Sequence, residues 1–291
     1  MRLGGALPRP VKRLLRRAAY QVRRLGGGAQ VTRTDIAGCL ADLGIGAGHD
    51  VFLHSSMRGL GVIRGGADAA LDAVRDVIGP AGTLLVPAYP LATSMFEHLA
   101  RGGIVLDVRH TPSRMGKVSE TLRLRPGARR SLHPTHSVAA LGPRADEYCR
   151  EHVTCTTPCG PGSPFVKLIE HRGWIVALGS PIGKVTAYHV LEDRARSFPI
   201  AVYLEQQFEV GVIDDAGESR QLRVRSHDPA IGPRRIDNNR QVEVRFERLL
   251  RERGVLREQR LGTGTIAVMR ADALERALEE LLQEGITIYA S

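Results

Sequence analysis

Two short stretches of the chain combine histidine with residue types that support proton transfer. The first, residues 130–137, holds His133 and a second histidine three residues later, beside a proline. The second, residues 186–192, holds His189 and Glu192, whose spacing places both side chains on one helix face. Imidazole is the side chain whose ordinary pKa suits proton transfer near neutral pH. His133 is therefore interpreted either as a general base or as a histidine that lies in a surface loop or satisfies buried backbone groups.

A third stretch has the features of a ligand-binding turn. Residues 50–53 are predicted to form a short strand that runs into His54, Ser55 and Ser56 and then into glycines. Small hydroxyl residues and glycines at a strand end present hydroxyls and backbone N–H groups to a ligand. Residues 113–116 (Ser-Arg-Met-Gly) lead in the same way into a predicted helix.

Two other chemistries compete with acid–base catalysis as interpretations of these residues. His133, His136, His189 and Glu192 could in principle ligate a metal. A His-x-x-His pair inside a proline-containing loop matches standard ligand spacings poorly, so no metal is expected. Cys159 lies in a Pro-Cys-Gly turn and could act as a nucleophile, but a buried or idle thiol is the commoner case.

One motif is interpreted as accidental. Residues 259–264 match the loop by which the common acetyltransferase fold binds the pyrophosphate of CoA. That loop requires a helix N-terminus immediately after it, because several backbone amides must converge on phosphate. Residues 265–269 look like a strand instead. A Walker A motif is absent, and so is a dinucleotide-binding fingerprint after a strand.

The basic charge of the chain is concentrated near its start. The net charge is +10, but residues 1–30 carry eight basic and no acidic side chains, leaving 33 basic and 31 acidic residues in 31–291. Aromatic residues make up 4% of the chain, which argues against a single-stranded nucleic-acid platform, and no nucleic-acid partner is expected. Residues 10–25 are predicted to form a basic amphipathic helix that docks on the body, extends loosely, contacts an anionic membrane surface or binds an acidic partner.

The predicted elements indicate an α/β protein. Helices are predicted over 35–43, 67–77, 145–152, 239–253 and 272–284, and strands over 50–53, 82–87, 138–141, 174–179 and 265–269. Thr34 is the predicted cap of the first helix. Alternating residues around 214–217 predict a β-hairpin. Strand–helix–strand order favours parallel pairing, and one domain over 31–291 behind an N-terminal extension is the economical division.

Four cysteines without C-x-x-C spacing favour reduced thiols and a cytoplasmic location.

Taken together, these motifs resemble the aminoglycoside 3-N-acetyltransferase family. The resemblance covers roughly residues 31–291. It rests on the following blocks, in order: His54-Ser55-Ser56 to Gly61, Gly65-Gly66, residues 82–87, Met115-Gly116, Arg130-Ser131-Leu132-His133-Pro134 with Ser137, Gly162-Ser163-Pro164, Leu178-Gly179, Thr186-x-x-His189-x-x-Glu192 and the tail from Gly264-Thr265 to Leu282. It implies a central mixed sheet flanked by helices, unrelated to the common acetyltransferase fold. It also implies acetyl-CoA as co-substrate and a small-molecule amine as acceptor.

The resemblance implies roles for particular residues. His133 would be the general base, Glu192 would orient it or the amine, and His189 would contact substrate or support the loop. Thr186 and nearby amides would stabilise the thioester oxygen. The residues implied to line the CoA site are His54, Ser55, Ser56, Arg58, Gly116 and Ser137. On this assignment, His133→Ala should lower kcat by about 10²–10⁴-fold.

The acceptor departs from the family pattern. A site for polycationic aminoglycosides should be acidic, yet the candidate acceptor loops 90–112 and 226–240 are balanced in charge. Their charged or titratable residues include Arg101, Arg109, His110, Arg234, Arg235, Arg240, Glu97, Asp107, Asp228 and Asp237. The alternatives are a nucleotide- or lipid-linked amino sugar as acceptor, or a catalytically silent binding protein of the same fold. Monomer and homodimer are both compatible with the sequence.

Overall fold

The computed structural model describes residues 30–290. The predicted basic helix over 10–25 therefore lies outside the described residues. In chain order the helices are α1 (Arg33–Asp42), α2 (Met57–Leu60), α3 (Gly66–Ile78), α4 (Met95–Ala100), α5 (Lys117–Arg123), α6 (Ala145–Arg150), α7 (Pro164–Glu170), α8 (Val190–Arg194), α9 (Arg240–Glu252) and α10 (Ala271–Gln283). Short 3-10 helices cover Glu151–Thr154, Ile182–Lys184, Thr186–His189 and Pro229–Arg234.

The strands divide into two sheets. They are β1 (Val51–Ser55), β2 (Leu84–Pro87), β3 (Val105–Asp107), β4 (Arg129–Arg130), β5 (Val138–Leu141), β6 (Trp174–Leu178), β7 (Tyr203–Ile213), β8 (Ser219–His227), β9 (Arg257–Leu261) and β10 (Gly264–Arg270). Over residues 30–290 the main sheet has the order β4-β5-β2-β1-β6-β10-β9, and β3-β7-β8 form the smaller one. Strands β2, β1 and β6 run parallel, whereas the outer pairs of the main sheet are antiparallel. The sheet is thus mixed, as the resemblance implied.

Alternating side chains of the main sheet enter two separate apolar layers. On β1, Val51 and Leu53 pack on one face with helices α1, α3 and α5, while Phe52 packs on the other with α6, α7, α9 and α10. On β6, Val176 and Ile175 divide in the same way. Successive strand side chains point to opposite faces, so helices on both sides bury an almost continuous apolar run.

Some boundaries differ from those predicted. The cap of α1 is Thr32, not Thr34, because Thr32 and Asp35 exchange side-chain and backbone hydrogen bonds in a capping box. Helix α7 was not predicted at all, although Ser163 caps it and Pro164 occupies its first turn.

Residues 257–270 form the hairpin β9–β10, so a strand, not a helix, follows the 259–264 motif. In the part of the chain that the structure describes, none of the helices combines the length and apolarity that a membrane span requires.

The smaller sheet carries the predicted hairpin. Strands β7 and β8 pair antiparallel around the turn 214–217, and β3 adds to β7 in parallel. Helix α4 packs on this sheet through Met95 and Leu99, which contact Phe208 and its neighbours. Strand β8 ends at His227, which is buried.

Backbone segments approach closely near the ends of β1 and β6. Gly59 in α2 faces Gly179, and a β-carbon at Gly59 would overlap the Gly179 carbonyl oxygen. Because the obstacle is backbone, it cannot rotate away. We expect Gly59→Ala to lower the free energy of unfolding by about 1–3 kcal/mol, measured by urea denaturation. Gly38→Ala in α1 is the control, since its β-carbon meets open space, and it should stabilise by up to about 1 kcal/mol. Equal urea midpoints for both variants would contradict the argument.

Candidate active site

A cavity of about 780 Å³ opens where the three parallel strands end. Ser55 at the end of β1, Tyr89 just after β2 and Ser180 just after β6 all line it. The crossover from β1 to β2 lies on one face of the sheet, and α7, which precedes β6, lies on the other. Ligands of open α/β sheets bind outside the carboxyl ends of the strands, at the point where the connections change from one face of the sheet to the other. The volume of this cavity suits a small-molecule ligand.

A buried carboxylate with three hydrogen-bond donors lies against the cavity. Glu192 Oε1 accepts hydrogen bonds from His189 Nδ1 at 2.7 Å and from the Tyr289 hydroxyl at 2.6 Å. Its Oε2 accepts one from His227 Nε2 at 2.8 Å. The Glu192 side chain is 0% exposed, whereas both histidines line the cavity. A buried carboxylate held in this way is a fixed negative charge behind two imidazoles.

The hydrogen bonds to Glu192 determine the protonation of the histidines. An ionised carboxylate only accepts, so the proton of a neutral His189 must be on Nδ1. Its Nε2 is then a lone-pair acceptor on the cavity side, which is the form that a general base requires. Burial would raise the pKa of Glu192, but the two imidazoles hold that pKa below its ordinary value. Burial lowers the pKa of His227 against the opposing effect of Glu192.

The structure does not bring Glu192 to His133, contrary to the expected pairing. His133 is 0% exposed and is absent from the cavity wall. Its ring stacks on His152 at a centroid distance of 4.6 Å, and its Nδ1 accepts the His136 backbone N–H at 3.2 Å. Burial lowers the pKa of His133 well below its ordinary value. It therefore lies in the layer behind the cavity, whereas His136 lines the cavity.

The implied CoA-site residues divide into two groups. His54 and Ser55 line the cavity, and burial lowers the pKa of His54 to about 4. Ser137 is fully buried, donating its hydroxyl proton to the Ala88 carbonyl at 2.8 Å. The remaining residues, Ser56, Arg58 and Gly116, are not part of the cavity wall. The structure therefore places Ser137 among the groups that hold the loop.

The same carboxylate cluster is the group in the described residues whose donor atoms could hold a metal. The candidate ligand atoms of His189, Glu192 and His227 lie within 4.8 Å of one another. This set differs from the four residues weighed in the sequence, because His133 and His136 do not join it. Each carboxylate oxygen already accepts an imidazole N–H, so the arrangement is that of a hydrogen-bonded network.

The family model described as aminoglycoside 3-N-acetyltransferase matches residues 52–283. The chain belongs to this family.

Individual relatives agree with that assignment. Aminoglycoside N(3)-acetyltransferase VII of Streptomyces paromomycinus is 36% identical over 180 residues, covering 57% of this chain and 61% of the relative. Aminoglycoside N(3)-acetyltransferase IX of Micromonospora chalcea is 35% identical over 180 residues, covering 58% and 64%. The chain thus spans less than two thirds of the length of these relatives.

The fold comparison extends over more of the chain. The crystal structure of aminoglycoside acetyltransferase AAC(3)-Xa superposes with a TM-score of 0.75 at 27% identity, covering 91% of this chain and 97% of that one. AAC-IIIb in binary complex with CoASH superposes with a TM-score of 0.74 at 24% identity, covering 90% and 100%, which shows a shared fold. The prediction of this α/β fold instead of the common acetyltransferase fold is confirmed.

The structure also locates Cys159 and three residues that the sequence motifs did not identify. Cys159 is 0% exposed, and burial raises the pKa of its thiol well above the ordinary value, which disfavours a thiolate nucleophile. Tyr89, His227 and Tyr289 were not singled out. Tyr89 could have been found from the sequence, because it lies two residues after a strand that ends in proline. Tyr289 could not, because its contact with Glu192 spans 97 residues.

Proposed function

We propose that this protein transfers the acetyl group of acetyl-CoA to a primary amine of an aminoglycoside or related amino sugar, with His189 as general base. The observation that carries the proposal is His189 on the cavity wall, with its Nδ1 donating to the buried carboxylate of Glu192. Family membership supports the reaction type.

The chemistry follows from the protonation of His189. The amine attacks the thioester carbonyl as its free base, forming the C–N bond while the carbonyl π pair moves to oxygen. His189 Nε2 takes the amine proton, and Glu192 stabilises the imidazolium. When the tetrahedral adduct collapses, the C–S bond breaks, and the CoA thiolate leaves with that electron pair and takes the proton from His189. Such general-base assistance contributes typically about 10²–10⁴-fold to the rate.

The charge of the cavity supports a cationic acceptor. Arg235 pairs with Asp237 through two hydrogen bonds, at 2.6 and 3.0 Å, and Lys184 lies 3.9 Å from the same carboxylate. Two further acids, Glu97 and Asp228, also line the wall. With neutral histidines the wall has three acids against two bases. The other arginines of the loops, on which the anionic-acceptor hypothesis depended, are outside the wall: Arg101, Arg109, Arg234 and Arg240.

An acceptor-dependent thiol assay tests the proposal. We expect free CoA thiol release from acetyl-CoA in the presence of kanamycin-type aminoglycosides, with a mono-acetylated product by mass spectrometry. Release without any amine measures the background. A nucleotide-linked amino sugar is the competing acceptor. Efficient turnover of that sugar alone would show that it, and not an aminoglycoside, is the acceptor. Absence of thiol release with every amine would support a catalytically silent binding protein.

A further inference from the structure

Tyr89 joins the cavity wall to the turn that carries the proposed base. It follows β2 by two residues, is 7% exposed and lines the cavity. Its hydroxyl lies 2.7 Å from Thr186 Oγ1, and its ring lies 4.5 Å from the His136 ring by centroids. The phenol is therefore fixed at both its ring and its oxygen.

Thr186 and His189 are the first and last residues of one 3-10 turn. Side chains three residues apart eclipse one another in a 3-10 helix, separated by a rise of about 6 Å. Both residues line the cavity. The Thr186 hydroxyl therefore lies one turn from the imidazole on the same wall, so a thioester between them can present its carbon near the amine and its oxygen to the hydroxyl.

The paired hydroxyls carry one more proton than their mutual hydrogen bond uses. A phenol is the stronger acid, so donation from Tyr89 to Thr186 is the favoured direction. Tyr89 is the partner of the Thr186 hydroxyl among residues 30–290, which leaves the Thr186 proton for the cavity. Donation by Tyr89 polarises the Thr186 O–H bond and strengthens it as a donor. Burial raises the pKa of Tyr89, so the phenol keeps its proton.

We infer that Tyr89 positions and polarises the Thr186 hydroxyl, the group that the family resemblance places at the thioester oxygen, so that this hydroxyl donates there as negative charge develops. Thr186 is the catalytic residue of this pair, and Tyr89 is a positioning residue that acts through it. The inference rests on the proposed acetyl transfer. An oriented donor strengthens its bond mainly in the transition state, so its loss should appear in kcat rather than in KM.

Tyr89→Phe tests the pair while retaining the ring. We expect kcat to fall about 10-fold and Thr186→Val to lower it about 10²-fold, within the range for lost oxyanion donors. KM for acetyl-CoA and for the acceptor should stay within about twofold in both. The double variant should be no slower than Thr186→Val alone, because Tyr89 acts through the hydroxyl that is already removed. Thr186→Ser should restore most of the rate.

Tyr188→Phe is the matched control. Tyr188 is a buried residue of the same turn, its hydroxyl has no hydrogen-bond partner within residues 30–290, and it does not line the cavity. Its kcat should equal that of the wild type, and thermal unfolding should show all variants folded. If the wild type is active, a kcat of Tyr89→Phe within twofold of the wild type overturns this inference but not the acetyl-transfer proposal. Additive losses of kcat in the double variant do the same. A wild type without turnover overturns the acetyl-transfer proposal and this inference with it.

Discussion

Replacing His189 with alanine is expected to lower kcat for acetyl transfer by about 10²–10⁴-fold, the usual contribution of a general base. The reason is the hydrogen bond of 2.7 Å that joins its Nδ1 to Glu192 and leaves Nε2 for the amine. The affinity for CoA, measured by calorimetry, should change little. Glu192→Gln should also be slow, because an amide cannot neutralise the imidazolium and has only one oxygen to accept from His189 and His227.

The comparison with His133 makes this result decisive. His133→Asn keeps an acceptor for the His136 N–H at the place of Nδ1, and we expect kcat within a few-fold of the wild type. His171→Ala is a control, since that ring pairs with Glu147 away from the cavity. A large loss in His133→Asn with His189→Ala near the wild type would support His133 as the general base instead.

The local part of the site was predictable because it depends on near neighbours. The spacing of His189 and Glu192 predicts a shared helical face, and the structure pairs them across three residues. Strand β5 was predicted with the same bounds, and the hairpin turn at 214–217 was located, because alternation and turn residues are local signals.

The rest of the carboxylate cluster was not predictable from local patterns. Glu192 meets His227 across 35 residues and Tyr289 across 97, contacts that depend on how β8 and the chain end pack. The proline-containing motif placed His133 in a loop correctly, but its burial depends on stacking against His152. A histidine beside a proline carries no local signal that separates the cavity wall from the layer behind it.

The composition of the acceptor loops and that of the cavity wall indicate different charges for the site. Loop composition counts every charged residue of a segment, whereas a ligand meets only those on the wall. Arg109 and Arg240, for example, lie outside the wall, and Arg235 on the wall is paired with Asp237. The electrostatic character of a site follows from the few side chains that line it and from their partners.

Mild acid is expected to destabilise the protein through its buried histidines. His54, His133 and His152 are each at most 6% exposed. Burial lowers the pKa of His54 to about 4 and of His152 to about 3, and that of His133 well below its ordinary value. In the unfolded chain these imidazoles titrate near about 6.5, so the unfolded state binds more protons below that pH. Their contribution is thus fully present above about pH 7 and is lost as the pH falls toward the folded pKa values.

The expected loss is a substantial fraction of the free energy of unfolding of an ordinary domain. Lowering the pH from neutral to 5.5 costs up to about 1.4 kcal/mol of folding stability for each histidine, or about 4 kcal/mol for the three. Asp193 acts in the opposite direction, because burial raises its pKa to about 6. Its protonation therefore stabilises the folded state by about 1 kcal/mol over the same fall in pH. We therefore expect the free energy of unfolding in urea to fall by about 3 kcal/mol between pH 7.5 and pH 5.5.

The slope of stability against pH tests this assignment residue by residue. His133→Asn should unfold with a shallower slope, by about one proton, even if it is less stable at neutral pH. His110→Gln is the control, because that ring is 80% exposed, and its slope should match the wild type. A free energy of unfolding that stays constant from pH 7.5 to 5.5 would show that these imidazoles take up protons in the folded protein, and would contradict their burial as neutral rings.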